Sequence, residues 1–238
     1  MDSSVVGAEV ARFDALAQRW WDPRGPMAPL HAMNKLRVGW VDRAIRTAYA
    51  RPVRLLDVGC GAGLAAEALA RCGHDVTGID AAPEVIAAAV AHARETTSGQ
   101  QLALSYRVAT AEALVAEGAT FESITALEVI EHVADPRAFV GTLAGLLAPG
   151  GVLVLSTLNR TRRSYLVAKL GAEYLLRLLP VGTHDWAKFI TPAELAAMLR
   201  QAGLRVSDIS GMAYSPFSGG WRASRDTSVN YIVAARRD

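Results

Sequence analysis

The segment Leu55-Leu56-Asp57-Val58-Gly59-Cys60-Gly61-Ala62-Gly63 constrains this chain's fold more than any other. An aliphatic run reaches an aspartate, three glycines follow at alternate positions, and alanine-rich Leu64–Arg71 comes next. That order predicts a strand, a tight turn and a helix. Glycines at such a turn let the backbone bend sharply and approach a ligand where a Cβ would collide with it. Asp80 ends the next apolar run, about twenty residues on, where a carboxylate can accept the hydroxyl protons of an adenosine ribose. The loop alone does not choose the ligand. From Gly59, a GxGxxG pattern would need glycine where Leu64 stands, but from Gly61 the run satisfies GxGxxA. A dinucleotide therefore stays open, while Asp57 ahead of the loop and the lack of a second domain favour a different nucleoside cofactor.

The rest of the chain repeats the alternation. Strands are predicted at Val53–Val58, Asp75–Asp80, Leu102–Val108, Phe121–Leu127 and Val152–Leu158, with helices at Leu64–Arg71, Pro83–Arg94, Thr110–Glu117 and Pro136–Leu147. Strands alternating with helices imply right-handed crossovers and a parallel sheet covered on both faces. Thr191-Pro192-Ala193-Glu194 reads as a capping box opening a helix that Gly203 ends. Leu204–Ser210 and Val229–Arg236 read as two last strands. The expected architecture is α/β: a Rossmann-like, doubly wound, mostly parallel seven-stranded sheet in a single domain. It divides into an N-terminal helical lid (1–50), a cofactor-binding core (51–158), a helical insertion after strand five (159–203) and C-terminal strands (204–238).

With 238 residues, 51% of them hydrophobic and 20% charged, the chain suits one large globular domain. A net charge of +2 provides no overall field for nucleic acid, and none is expected as a partner. Cys60 and Cys72 have no CxxC spacing and no zinc partners, which fits a reduced, cytoplasmic protein. No basic stretch followed by an apolar core opens the chain, so a signal peptide is not expected.

The Asp57–Gly63 run, the acid at Asp80 and Pro149-Gly150-Gly151 before strand five resemble class I S-adenosylmethionine-dependent methyltransferases. A narrower resemblance covers almost the entire chain. Phe13-Asp14, Trp20-Trp21-Asp22, Leu30-His31-x-Met33-Asn34-x-x-Arg37 and Glu128-x-x-Glu131-His132-Val133 are similar to the ubiquinone-biosynthesis O-methyltransferase family. So are Ser156–Arg160, Gly171–Tyr174, Gly182–Asp185 and Val229–Tyr231, whereas Phe217–Asp226 looks variable. The resemblance implies S-adenosyl-L-methionine as cofactor and methylation of hydroxyls on polyprenylated phenol or catechol intermediates. It places cofactor contacts on Arg37, Gly59, Asp80 and Leu127. The class I pattern adds Asp57 and Gly61 in the loop, and Ala111 and Glu112 near the adenine. Arg37 is suited to pair with the cofactor's carboxylate. Two rivals remain at this point, an NAD-linked oxidoreductase and a silent cofactor-binding subunit.

Glu128, Glu131 and His132 are the catalytic candidates, since a free phenol with a pKa of about 10 must lose its proton. They stand at i, i+3 and i+4 after strand four, on one face if that turn is helical. Either His132 is a general base with a glutamate fixing its tautomer, or all three bind a divalent metal. The resemblance favours the metal, expected to be magnesium, and the alternative is a purely structural role. His184 and Asp185 are candidates for the substrate mouth. Finally, Arg160 to Leu179 carries a narrow charged stripe (Lys169, Glu173, Arg177) on an otherwise apolar circumference, with Arg160, Arg162 and Arg163 at its start. It is expected to rest on an anionic membrane surface and admit the tailed substrate, placing the protein peripherally on the inner membrane. Other enzymes of ubiquinone biosynthesis are further expected partners.

Overall fold

The computed structural model describes residues 4–96, 102–166, 186–215 and 220–238. Eight strands form one sheet in the order β3-β2-β1-β4-β5-β8-β6-β7. They are β1 (Arg54–Val58), β2 (Asp75–Asp80), β3 (Leu104–Val108), β4 (Phe121–Leu127), β5 (Leu147–Leu158), β6 (Leu204–Ser215), β7 (Gly220–Ser224) and β8 (Asn230–Arg237). The first five pair in parallel. β8 inserts antiparallel between β5 and β6, and β7 closes the edge as a hairpin with β6.

Two apolar faces follow from the period-two geometry of the strands. Leu56, Ile124, Leu153 and Leu155 meet Phe139, Leu143, Leu195 and Leu199 on one face. Leu55, Val76, Val152 and Val154 meet Trp40, Val41, Ile45 and Leu69 on the other. Both sets are fully or almost fully buried. Consecutive residues such as Val152 and Leu153 thus serve opposite layers, which is why β5 reads as a continuous apolar run. Helices α5 (Ala111–Ala116), α6 (Pro136–Leu146) and α7 (Pro192–Gln201) flank the first face; α2 (Ala28–Ala48), α3 (Leu64–Arg71) and α4 (Pro83–Thr96) flank the second. Asp135 caps α6 through Arg137 and Ala138 N–H, with Pro136 in the first turn. The capping box at Thr191 and Glu194 forms as its sequence predicts.

The doubly wound fold is present, with three departures in detail. The sheet has eight strands where the sequence pattern gives seven, because β6 runs on to Ser215 and folds back as β7. The N-terminal fifty residues do not all form a lid. Residues 4–21, with α1 (Gly7–Asp14), cross the carboxyl edge of the sheet, whereas α2 buries Val38, Trp40, Val41 and Ile45 in the core. After β5 the chain makes one helical turn at Arg162–Ser164, capped by Thr161. Most of the tract expected to meet a membrane, together with His184 and Asp185, lies outside the described residues.

Candidate active site

The glycine loop takes the backbone that its composition anticipates. Gly59, Gly61 and Gly63 have φ of 67°, 55° and 88°, all left-handed. The loop is tied to β2, with Cys60 N–H donating to Ile79 O (3.0 Å) and Gly61 N–H to Asp80 Oδ2 (3.0 Å). Asp80 Oδ1 accepts from Ala82 N–H at 3.0 Å. Each carboxylate oxygen keeps further lone-pair capacity for a ribose hydroxyl. Burial raises the Asp80 pKa, and these backbone donors oppose that rise.

Over this edge lies a cavity of about 160 Å³. Gly59, Asp80, Ala111, Leu127, Glu128 and His132 form its sheet side. The strap of residues 4–21 forms the opposite wall, chiefly through Val6, Phe13 and Trp20. Several bonds hold that strap closed. Asp14 Oδ1 accepts from Glu84 N–H (3.0 Å) at the start of α4, and Trp21 donates from Nε1 to Ala62 O (3.0 Å). Trp21 also stacks on His92, with ring centroids 3.3 Å apart. Ser4 N–H donates to Glu112 Oε1 (3.1 Å), and Ala134 N–H to Ser4 O (3.0 Å).

Three buried polar atoms at this edge have no hydrogen-bond partner among the described residues: Arg37 Nε, Asp57 Oδ2 and Glu112 Oε2. Such atoms are costly unless something satisfies them. Arg37, only 3% exposed, is not among the residues lining the cavity and makes weak 3.4 Å contacts with Leu30 O and Asn34 Oδ1. Burial lowers its pKa, and attraction to Glu128 and then Asp57 opposes that shift. Asp57 accepts from Thr125 Oγ1 at 2.7 Å through its other oxygen. A buried cation and a buried anion, each with an unsatisfied polar atom, suit the carboxylate and ammonium of an amino-acid group. Glu112 Oε2, beside the lining residue Ala111, is an acceptor suited to an exocyclic amine of a base.

The three catalytic candidates depart from the arrangement their spacing predicts. Glu128 has a φ of 57°, the one positive non-glycine φ among the described residues, and only Ile130–His132 form a helical turn. The three side chains therefore do not share a face. Glu128 Oε1 accepts from Ser156 Oγ (2.8 Å) and Glu131 Oε2 from Thr157 Oγ1 (2.9 Å), both toward β5. His132 turns to the strap, with Nδ1 3.3 Å from Glu9 Oε2 and its ring edge-on to Phe13. Among the described residues, no three His, Cys, Asp or Glu side chains stand together as a metal-ligand group. The two glutamates are nonetheless an electrostatic deficit. Burial raises both pKa values, and for Glu131 the charge of Glu128 adds to the rise. The two carboxylates are donors of the kind a hard divalent cation takes, whereas His132 faces Glu9.

Sequence reasoning missed the strap residues Ser4, Val6 and Glu9 at this site. Phe13 and Trp20 carried a signal through the family resemblance; Glu9 carried none, being one acid on an eight-residue helix. Trp186 is 37% exposed and donates from Nε1 to Thr161 O (3.0 Å), without lining the cavity.

Comparison with known proteins points to one family. Residues 30–209 match the model of a methyltransferase domain family. A ubiquinone biosynthesis O-methyltransferase of Dinoroseobacter shibae is 48% identical, over 98% of this chain and 97% of that protein. Its counterpart in Azorhizobium caulinodans is 45% identical, over 99% and 95%. Among solved structures, magnesium protoporphyrin IX methyltransferase from Synechocystis with bound SAH shares the fold at a TM-score of 0.67. There the identity is 19%, over 96% of this chain and 94% of the other.

Proposed function

The chain belongs to the ubiquinone-biosynthesis O-methyltransferase family, and from that premise we propose how its residues share the work. It is an S-adenosylmethionine-dependent methyltransferase acting on hydroxyls of phenolic intermediates of the ubiquinone pathway. The observation that supports the assignment of roles best is the pair of unsatisfied groups, Arg37 Nε and Asp57 Oδ2, behind the glycine loop. In this reading Arg37 holds the cofactor's carboxylate and Asp57 its ammonium. Gly59 and Gly61 admit the methionine portion, Asp80 takes the ribose, and Ala111 and Glu112 take the adenine. Leu127, at the end of β4, would line the side of the site that takes the methyl to be transferred.

When bound, S-adenosylmethionine supplies a methyl already activated on a sulfonium. The protein's task is alignment and proton removal. Glu128, Glu131 and His132 form the acceptor side. We assign them also as the residues that would hold magnesium, whose charge would lower the pKa of a bound phenol and relieve the repulsion between the two glutamates. The strap excludes water by closing over this edge.

The polyprenyl tail directs a further assignment, docking of residues 160–179 on an anionic membrane at the cytoplasmic face of the inner membrane. Tyr165 and Leu166 are exposed there, which favours it. The arginine cluster gives less support than its sequence promised, since Arg160 pairs with Glu194 and Arg163 with Asp226. No helix among the described residues is long and apolar enough to cross a membrane.

The test is methyl transfer to a short-tailed catechol, paired with calorimetry. S-adenosylmethionine should bind and NAD should not. Arg37→Ala and Asp80→Ala should weaken cofactor binding at least tenfold, as loss of a charged hydrogen bond does. Exhaustive chelation should abolish turnover, and magnesium should restore it. Wild-type affinity in both variants would refute the cofactor assignment; full turnover after verified metal removal would refute the magnesium assignment.

A further inference from the structure

We propose that Trp21, outside the cofactor cavity, is a positioning residue that latches the strap to the glycine loop and sets how long the cofactor stays. His92 supplies the surface it latches onto. The inference rests on the reading that the cavity beneath the strap takes S-adenosylmethionine, and extends it to two residues that do not line that cavity.

The indole of Trp21 is held from three elements. Its Nε1–H donates to Ala62 O (3.0 Å), a carbonyl of the glycine loop. Its face stacks on the His92 ring of α4, with centroids 3.3 Å apart and planes 4° from parallel. From α2, the His31 ring meets it at a steep angle, with centroids 5.9 Å apart and planes at 70°. A broad apolar face and one polar handle both find partners in a single pose, which is what a latch requires.

The stacking surface is itself set. His92 Nδ1 lies 2.8 Å from Glu67 Oε2 on α3, and the other oxygen of that glutamate accepts from Arg71 Nη2 (2.7 Å) and Thr96 Oγ1 (3.1 Å). Burial pushes the Glu67 pKa up, but hydrogen bonds from Arg71 and His92 outweigh it and hold the carboxyl below its usual range. The carboxylate therefore accepts and His92 Nδ1 donates, which fixes the plane of the imidazole against the indole.

Trp20, the next residue back, turns this hold into a property of the site. Its indole does line the cavity, and it fills the space that Gly61 leaves. Its carbonyl accepts from His31 Nε2 (2.8 Å). One peptide bond joins the wall residue to the latch residue, so swinging Trp20 off the loop pulls Trp21 from Ala62 and His92. Ser4 and Asp14 tie the strap to α5 and to the start of α4, whereas Trp21 ties it to the loop backbone itself. Each turnover must release S-adenosylhomocysteine and admit fresh cofactor, and release of Trp21 is the step that clears the loop.

The experiment follows the release of tritium-labelled S-adenosylhomocysteine from the full-length protein into excess unlabelled ligand. It compares the wild type with Trp21→Phe, Trp21→Ala, His92→Ala and the double variant of the last two. Trp21→Phe keeps an aromatic face and loses the indole donor, so its dissociation rate should rise about threefold to tenfold, as loss of one hydrogen bond does. Trp21→Ala loses both and should release the ligand on the order of 100-fold faster. His92→Ala should fall between the wild type and Trp21→Ala. The double variant should match Trp21→Ala, because partners acting as a unit are non-additive. Association rates should stay within about threefold of the wild type. In proton–nitrogen spectra, the Trp21 indole N–H is assigned by its loss in Trp21→Phe. It should exchange with solvent more slowly in the S-adenosylhomocysteine complex than without ligand, and His92→Ala should speed that exchange. Melting of the ligand-free proteins separates a lost latch from a lost fold, and Trp21→Phe and His92→Ala carry the test if Trp21→Ala unfolds.

Dissociation within about twofold of the wild type in both Trp21 variants would overturn the proposal. So would losses that multiply in the double variant, or slower association with dissociation unchanged, which would make Trp21 part of the entry path. The two readings fail separately. Asp80→Ala with wild-type affinity removes the premise; an impaired Asp80→Ala beside wild-type release in both Trp21 variants removes only the latch.

Discussion

Asp57 is a buried carboxylate that costs the cofactor-free fold stability, as the proposed ammonium site would require. Burial raises its pKa to about 6; the Thr125 hydroxyl and the Arg37 charge hold it lower than burial alone would. The sign for stability follows from linkage. An acid whose folded pKa lies above its unfolded value favours the fold while protonated. That contribution is complete below about pH 4 and is lost as pH rises through about 6. A shift from the ordinary 3.8 to about 6 corresponds to a cost on the order of 3 kcal/mol at neutral pH. Asp57→Asn should therefore flatten the pH dependence of stability in cofactor-free protein between pH 4 and 7. Denaturant titrations at pH 4.5 and 7.5 check this, and the variant should gain most at 7.5 while binding S-adenosylmethionine more weakly. An equal effect at both pH values would mean that Asp57 is already ionised in the folded protein at pH 4.5, with no raised pKa.

At the scale of elements, the glycine loop and the strap are one device. A Cβ at Gly61 would lie 2.2 Å from Cζ2 of Trp20, so the strap's indole occupies the space that this glycine leaves open. Gly61→Ala should displace Trp20 and strain a backbone at φ 55°. The expected result is a red-shifted tryptophan emission and at least tenfold weaker cofactor binding; unchanged emission would show that Trp20 does not seat on the loop. At Gly59 an added Cβ meets Val129 Cγ2 at 2.6 Å, so a side chain there collides with the protein before any ligand is present. These elements differ in how much of them the sequence discloses. The loop, Asp80 and the capping box at Thr191 are legible because local backbone demands dictate their residue types. β7 is not, since Gly-Trp-Arg-Ala-Ser lacks a buried face and pairs only as the edge of a hairpin. The arrangement of Glu128, Glu131 and His132 is also hidden, because a left-handed residue at Glu128 breaks the helical spacing that the i, i+3, i+4 pattern assumes. The contact of Glu9 with His132 joins residues more than a hundred apart in sequence, which no local pattern encodes.

For the whole molecule, the active-site edge and the proposed membrane contact must lie close enough for one substrate to span both. β5 ends at Leu158, beside β4 and the turn bearing Glu128, Glu131 and His132, and the chain proceeds at once to Arg162–Ser164 and the exposed Tyr165 and Leu166. Trp186 packs edge-on against Tyr165, with centroids 6.2 Å apart, and is itself 37% exposed. Exposed apolar and interfacial side chains just beyond the end of β5 suit docking at a lipid surface. Extracting the tail into water instead would cost about 0.8 kcal/mol per CH₂. Replacing Tyr165, Leu166 and Trp186 together by serine should leave the fold intact, because these side chains are exposed, and should reduce co-sedimentation with anionic vesicles at least tenfold. Arg162→Glu should weaken binding further at low salt, through a charge near the lipid worth about 1 kcal/mol. Methylation of a tail-free catechol should be spared, while that of a long-tailed acceptor presented in vesicles should fall in step with binding. Wild-type protein that ignores anionic vesicles would refute the docking role. A triple variant that binds them as the wild type does would show that these three side chains are not the contact. If both acceptors slow equally in the variant, the exposed cluster serves the catalytic edge directly, and access through the membrane is not what limits the reaction.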